Sequence, residues 1–79
     1  MVISVVFRNT PKSYDYFCDF QVKAGDLVVV PTGSAPFKDF AVTKVVGIKK
    51  TSVKATLWAM QKLDVKGFNE RMEERMLLE

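Results

Sequence analysis

A chain of 79 residues, 48% hydrophobic and 27% charged, has the composition of one small globular domain. At this length folding buries only about 60% of the surface the unfolded chain exposes, so stability rests on tight packing or on a partner that covers part of the surface. With no histidine and one cysteine, the sequence excludes histidine-based catalytic triads, histidine general bases, zinc fingers and disulfide scaffolds, and neither enzymatic activity nor a cofactor or metal is expected. The formal net charge of +3 is unevenly spread: between residues 38 and 66 seven lysines face only Asp39 and Asp64, whereas residues 67–79 hold two arginines against four glutamates. Such a local excess is either a solvated face or the footprint of a polyanion.

Val2 to Phe7, rich in branched residues, predicts a first strand, closed by the turn Asn9-Thr10-Pro11-Lys12. No basic stretch precedes this run and no small-residue cleavage site follows it, so it does not have the form of a signal peptide. From Tyr14 the alternation is nearly regular: Tyr14, Tyr16, Cys18, Phe20 and Val22 share one face of a second strand. Phe17 is the aromatic exception on its polar face. Lys23-Ala24-Gly25-Asp26 reads as a tight turn in which Gly25 takes a positive φ. It feeds Leu27-Val28-Val29-Val30, a run apolar on both faces, which predicts a central strand ended by Pro31. The stretch from Thr32 to Pro36 reads as a loop. Phe40, Val42, Lys44, Val46 and Ile48 resume an alternating strand in which Gly47 marks a bulge or corner. A last strand is expected near Ala55 to Leu63, and Asp64 is placed to cap a C-terminal helix. The whole, with no internal repeat and no βαβ spacing, predicts one mostly β domain over residues 1–79. Its β-rich body, residues 1–63, would be a small five-stranded antiparallel barrel or curled sheet, followed by an amphipathic helix over residues 64–79.

Few residue patterns support chemistry. Asp15 and Asp19 share a strand face, but four residues of extended chain set them ~13 Å apart, beyond either glycosidase geometry. Gly47-Ile48-Lys49-Lys50-Thr51 fails as a phosphate-binding loop because Lys49 and, five residues earlier, Lys44 occupy the positions that require glycine. Cys18, between Tyr16 and Phe20 on the apolar face, is expected inside the core rather than at a reactive site. Two features point to a ligand. Thr32-Gly33-Ser34 offers backbone N–H groups and two hydroxyls, the materials of an anion nest, which Lys38, Lys49 and Lys50 would complete if the loops cluster. Phe17, and Trp58 between Lys54 and Lys62, are aromatics among cations, the arrangement that stacks bases while lysines hold phosphates.

The segments Tyr14-Asp15-Tyr16, Gly25 to Gly33 and Val45-Val46-Gly47-Ile48, with Trp58 and a charged end after Leu63-Asp64, resemble a group of small uncharacterised proteins of tailed bacteriophages. More distantly, Tyr14 to Ile48 is similar to the N-terminal DNA-binding domain of the primosomal helicase PriA, although the helicase motifs are missing. Both resemblances lie in strand and turn residues, which report fold more than function. They imply a phage protein acting in the cytoplasm of its host. The reading they leave is a non-enzymatic module that binds a phosphate-bearing ligand, either single-stranded nucleic acid or a nucleotide signal. Lys44, Lys49, Lys50 and Lys54 would be its cations and Phe17 or Trp58 its stacking platforms. Two other readings stand beside it: a phage inhibitor or counter-defence protein that sequesters a host component through a protein surface, and a virion accessory protein. No run of apolar residues is long enough to span a bilayer, so no membrane partner is expected. In the helix, Val65, Phe68, Met72 and Met76 form one stripe, with Leu77 beside it, and this stripe predicts a homo-oligomer.

Overall fold

A computed structural model describes residues 1–78, so the side chain of Leu78 and all of Glu79, the end of the expected helix, lie outside the described residues. The strands are β1 (Val2–Val6), β2 (Ser13–Phe17), β3 (Leu27–Thr32), β4 (Asp39–Lys49) and β5 (Gln61–Lys62), followed by the helix α1 (Val65–Leu78). They form one antiparallel sheet in the order β2-β1-β4-β3-β5. The sheet is curled and remains open. The segment after β4 straddles its two free edges: Phe17 N–H donates to Leu57 O (2.9 Å) and Ala59 N–H to Phe17 O (2.8 Å) at the β2 edge, while Met60 N–H donates to Val29 O (2.9 Å) and Leu63 N–H to Leu27 O (2.9 Å) at the β3 edge. Because each edge is paired only briefly, the strand expected from Ala55 to Leu63 shrinks to Gln61–Lys62 plus a single parallel bridge between Phe17 and Trp58.

Ile3, Val5, Tyr16, Cys18, Val28, Val30, Val45 and Ala59 fill the concave side. Each valine or isoleucine there contributes about 1.5–3 kcal/mol by leaving water. The strand most enclosed on both faces is β1, where Val2 and Ser4 are buried behind Ile3 and Val5. Thr43, also buried, satisfies its hydroxyl by donating to Val28 O at 3.2 Å.

Three details depart from the sequence reading. The second strand ends at Phe17, before Phe20 and Val22, because the backbone of Phe17 turns to the returning segment. Pro31 does not stop β3, which runs to Thr32; β5 pairs only with Val28 and Val29, so the proline needs no N–H on that side. In β4 the small residues Ala41, Thr43 and Val45 point inward, and Phe40, Val42, Lys44 and Val46 are exposed. The expected irregularity beside Gly47 is present: Val5 pairs with Val45 and Ser4 with Gly47, leaving Val46 as the extra residue of a bulge.

The turn before β3 has Gly25 at φ 97°, Asp26 N–H donating to Lys23 O (3.1 Å) and Lys23 N–H donating to Asp26 Oδ2 (2.9 Å). Asp64 caps α1 by accepting from Gly67 N–H at 3.0 Å and also meets Arg71 at 4.0 Å. Cys18 is buried and donates its S–H to Phe20 O at 3.2 Å. Its thiol is therefore expected to stay unlabelled by a thiol reagent under native conditions and to react fully in denaturant; rapid native labelling would show a different packing.

Candidate functional site

The alternation of β2 sends Ser13, Asp15 and Phe17 to one face and Tyr14 and Tyr16 to the other. Asp15 stands opposite Ser4 of β1, and the chain that leaves β4 folds back over this pair. Its carboxylate accepts from Ser4 Oγ (2.8 Å), Ser52 Oγ (2.5 Å) and Lys49 Nζ (3.3 Å), while its own side chain is only 6% exposed. The Ser52 hydroxyl foremost, then Ser4 and the nearby Lys49 ammonium, hold the Asp15 carboxyl below its ordinary value against the opposing effect of burial. One negative charge is thus neutralised and tied down at the base of the site.

Around Asp15 a cleft of about 420 Å³ is lined by Lys12, Tyr14, Tyr16, Lys49, Lys54 and Leu57, among others. Three lysines from three separate segments line it, and one of them, Lys49, meets the already partnered Asp15 carboxylate. Lys12 Nζ sits 5.3 Å from the Tyr14 ring centroid, a cation–π contact that orients both groups. Since Phe17 directs its N–H and C=O to the returning segment, strand alternation turns the same groups of Ser13 and Asp15 to the open edge of β2, where they have no backbone partner among the described residues. The cleft therefore also borders backbone donors.

Tyr14, Tyr16 and Leu57 are shared with a second, apolar hollow of about 370 Å³, whose further walls include Phe7, Pro31, Thr32 and Gly33. Phe7 and Tyr14 meet edge to face with centroids 5.3 Å apart. Burial, then the neighbouring Tyr14, raise the pKa of the Tyr16 phenol above its ordinary value, so it remains a neutral donor at physiological pH. A cationic cleft and an aromatic hollow thus stand side by side.

Of the residues singled out from sequence, Lys49 and Lys54 line the cationic cleft, and Thr32 and Gly33 line the apolar hollow. Gly33 has φ 82°, as a tight loop requires. The nest with lysines is not assembled: Thr32 pairs with Asp39 at one end of β4 whereas Lys49 lies at the other, and Lys50 follows it. Ser34, Lys38 and Lys50 are exposed and line neither hollow. Lys44 stands on the outer face of β4, opposite Leu27 and Val6, roughly 16 Å along the strand from Lys49. Phe17 and Trp58 are not free platforms beside the lysines, because they stack on each other with centroids 5.1 Å apart and planes at 36°. Trp58 then faces a different hollow, with Phe40 and Met60. Lys12, Tyr14 and Tyr16 were not legible as site residues. The Tyr14-x-Tyr16 spacing was visible, but its nearness to residues 49–57 follows from the return of the chain over β2.

Among the described residues no three His, Cys, Asp or Glu side chains gather as a metal site, and no helix is long and apolar enough to cross a membrane. Comparison of the chain with protein-family models, with curated proteins and with solved structures returns no match.

Proposed function

We propose that the protein is a non-enzymatic binding module for a phosphate-bearing ligand with an aromatic base, a nucleotide or the terminal nucleotide of a single strand. The observation that carries this reading is the adjacency of the two hollows across the Tyr14 and Tyr16 wall. Phosphate oxygens would take the cleft of Lys12, Lys49 and Lys54, where charge-assisted hydrogen bonds are strongest. The base would stack against Tyr14 and Phe7 in the apolar hollow, with the Thr32-Gly33 loop closing its rim. Asp15 holds Lys49 in position and repels little, since its charge is already shared. The setting that fits the phage resemblance is the cytoplasm of a bacterial host.

A thermal-shift screen against nucleotides, cyclic oligonucleotides and short single-stranded DNA tests the reading. At least one of these should raise the unfolding midpoint, and Lys12→Glu or Lys54→Glu should weaken its binding about tenfold or more. Lys23→Glu and Lys50→Glu, outside the cleft, should change it less than about twofold at moderate salt. Equal losses at all four lysines, or no ligand in the screen, would sink the proposal. Salt separates the two ligand forms. A single strand neutralising three phosphates should show a log–log slope near −2, whereas a mononucleotide responds more weakly.

A further inference from the structure

Two apolar surfaces of the chain are uncovered, and neither belongs to the cleft. The first is the outer face of β4, where Phe40, Val42 and Val46 are each about half exposed because Ala41, Thr43 and Val45 took the inner positions. The second is the stripe of α1: Val65 and Phe68 are about half exposed and Met76 is 71% exposed, with Met72 between them. Among the described residues α1 makes no extensive contact with any strand of its own sheet, and the molecule is elongated, 50 × 26 × 24 Å. Only Leu63 and Asp64 join β5 to α1, and Asp64 is held to the first turns of the helix by its cap on Gly67 and its contact with Arg71. A helix of this length is marginal in water without a surface to dock on.

We propose that α1 of one copy seats on the outer face of β4 of a second copy, reciprocally, so that two exchanged helices close a dimer. The dimensions agree: Val65 to Met76 spans about 17 Å of helix, and Phe40 to Val46 about 20 Å of strand. The charges agree as well. Lys44 stands between Val42 and Val46 in the middle of the strand face. Helical spacing puts Glu73 on one flank of the stripe and Arg75, resting against Met72 Sδ at 3.8 Å, on the other, so charge favours the seating that turns the Glu73 flank toward Lys44. More broadly, the lysine-rich stretch over residues 38–66 meets the glutamate-rich end of the partner. A helix laid on an open sheet face is also the ordinary second layer of a small α+β domain, and here only the second copy's helix is free to supply it. The exchange buries both surfaces twice.

The test is sedimentation equilibrium of the full chain at micromolar concentration, with circular dichroism of each variant to confirm the fold. The wild type should have twice the 9.0 kDa chain mass. Phe68→Glu on the helix and Val42→Glu on the sheet should each raise the dimer dissociation constant about tenfold or more, since either buries an unpaired carboxylate in an apolar contact. Lys44→Glu should weaken the dimer in the same direction, and Glu73→Lys in that background should restore part of it. Both apolar positions are exposed in the single chain, so these variants keep the β-rich spectrum. A wild-type monomer overturns the proposal. So does a dimer broken by Phe68→Glu yet indifferent to Val42→Glu, which would mean that the helices pair with each other.

Discussion

Replacing Ile3 with alanine should cost about 2–5 kcal/mol, a large part of the roughly 5–15 kcal/mol that holds a small domain folded. Ile3 is fully buried, stands opposite Tyr16 on β2 and Ile48 on β4, and lies within the cluster that includes Val5, Val28, Val30 and Val45. β1 joins β2 to the rest of the sheet, so a cavity there loosens the contact of both neighbours. Urea unfolding checks it: Ile3→Ala should shift the midpoint strongly, and Val53→Ala, at a residue 99% exposed, should stay within about 0.5 kcal/mol of the wild type. Equal shifts would mean that the concave face is not where the stability resides.

Asp15→Ala should lower stability by about 2–3 kcal/mol, which in a chain of this size moves the thermal midpoint by on the order of 10 °C or more. The loss arises because Ser4, itself buried, and Ser52 lose their acceptor together, and the returning segment loses its anchor to β2. The same site carries a pH dependence. The folded-state pKa of Asp15 lies below the ordinary 3.8, so as the pH falls the unfolded chain takes up its proton first. The carboxylate's contribution is therefore complete above the ordinary value and is lost as the pH drops from there through the folded-state value. Asp26 acts with the same sign, lowered first by the Lys23 backbone N–H and then by Lys62. Urea midpoints of the wild type and Asp15→Asn should consequently differ clearly at pH 7, and the gap should begin to close only as the pH falls below about 4. A gap that stays constant across this range would refute the assignment.

Local chemistry was the part of the fold legible in the sequence. Gly25 was readable as a positive-φ turn and Asp64 as a cap because each is decided by residues within one turn of chain. The alternation that puts Tyr16 and Cys18 inside was readable because the other face of that stretch, Phe17 apart, is polar: Ser13, Asp15, Asp19 and Gln21. β4 was not. Period-two spacing separates two faces but does not say which is inside when both carry apolar groups, and here the smaller set, Ala41, Thr43 and Val45, fits the tight curl of the sheet. The candidate site was half legible for a related reason. Lys49 and Lys54 were visible as a basic stretch, whereas Lys12 and the two tyrosines reach them only through the β1–β2–β4 register and the return of residues 50–60 over the β2 edge.

That return also ties the fate of the two sheet edges together. Residues 57–63 hold β2 at one end and β3 at the other, so lifting this one segment bares both strands at the same moment. The transient species then presents two unpaired edges on one small body, each a template on which another chain can add. Self-templated aggregation is thereby coupled to a local opening rather than to global unfolding. The amides of Ala59 and Met60, which make the bonds that break, are its natural reporters in hydrogen exchange, while β4 stays protected at the centre of the sheet.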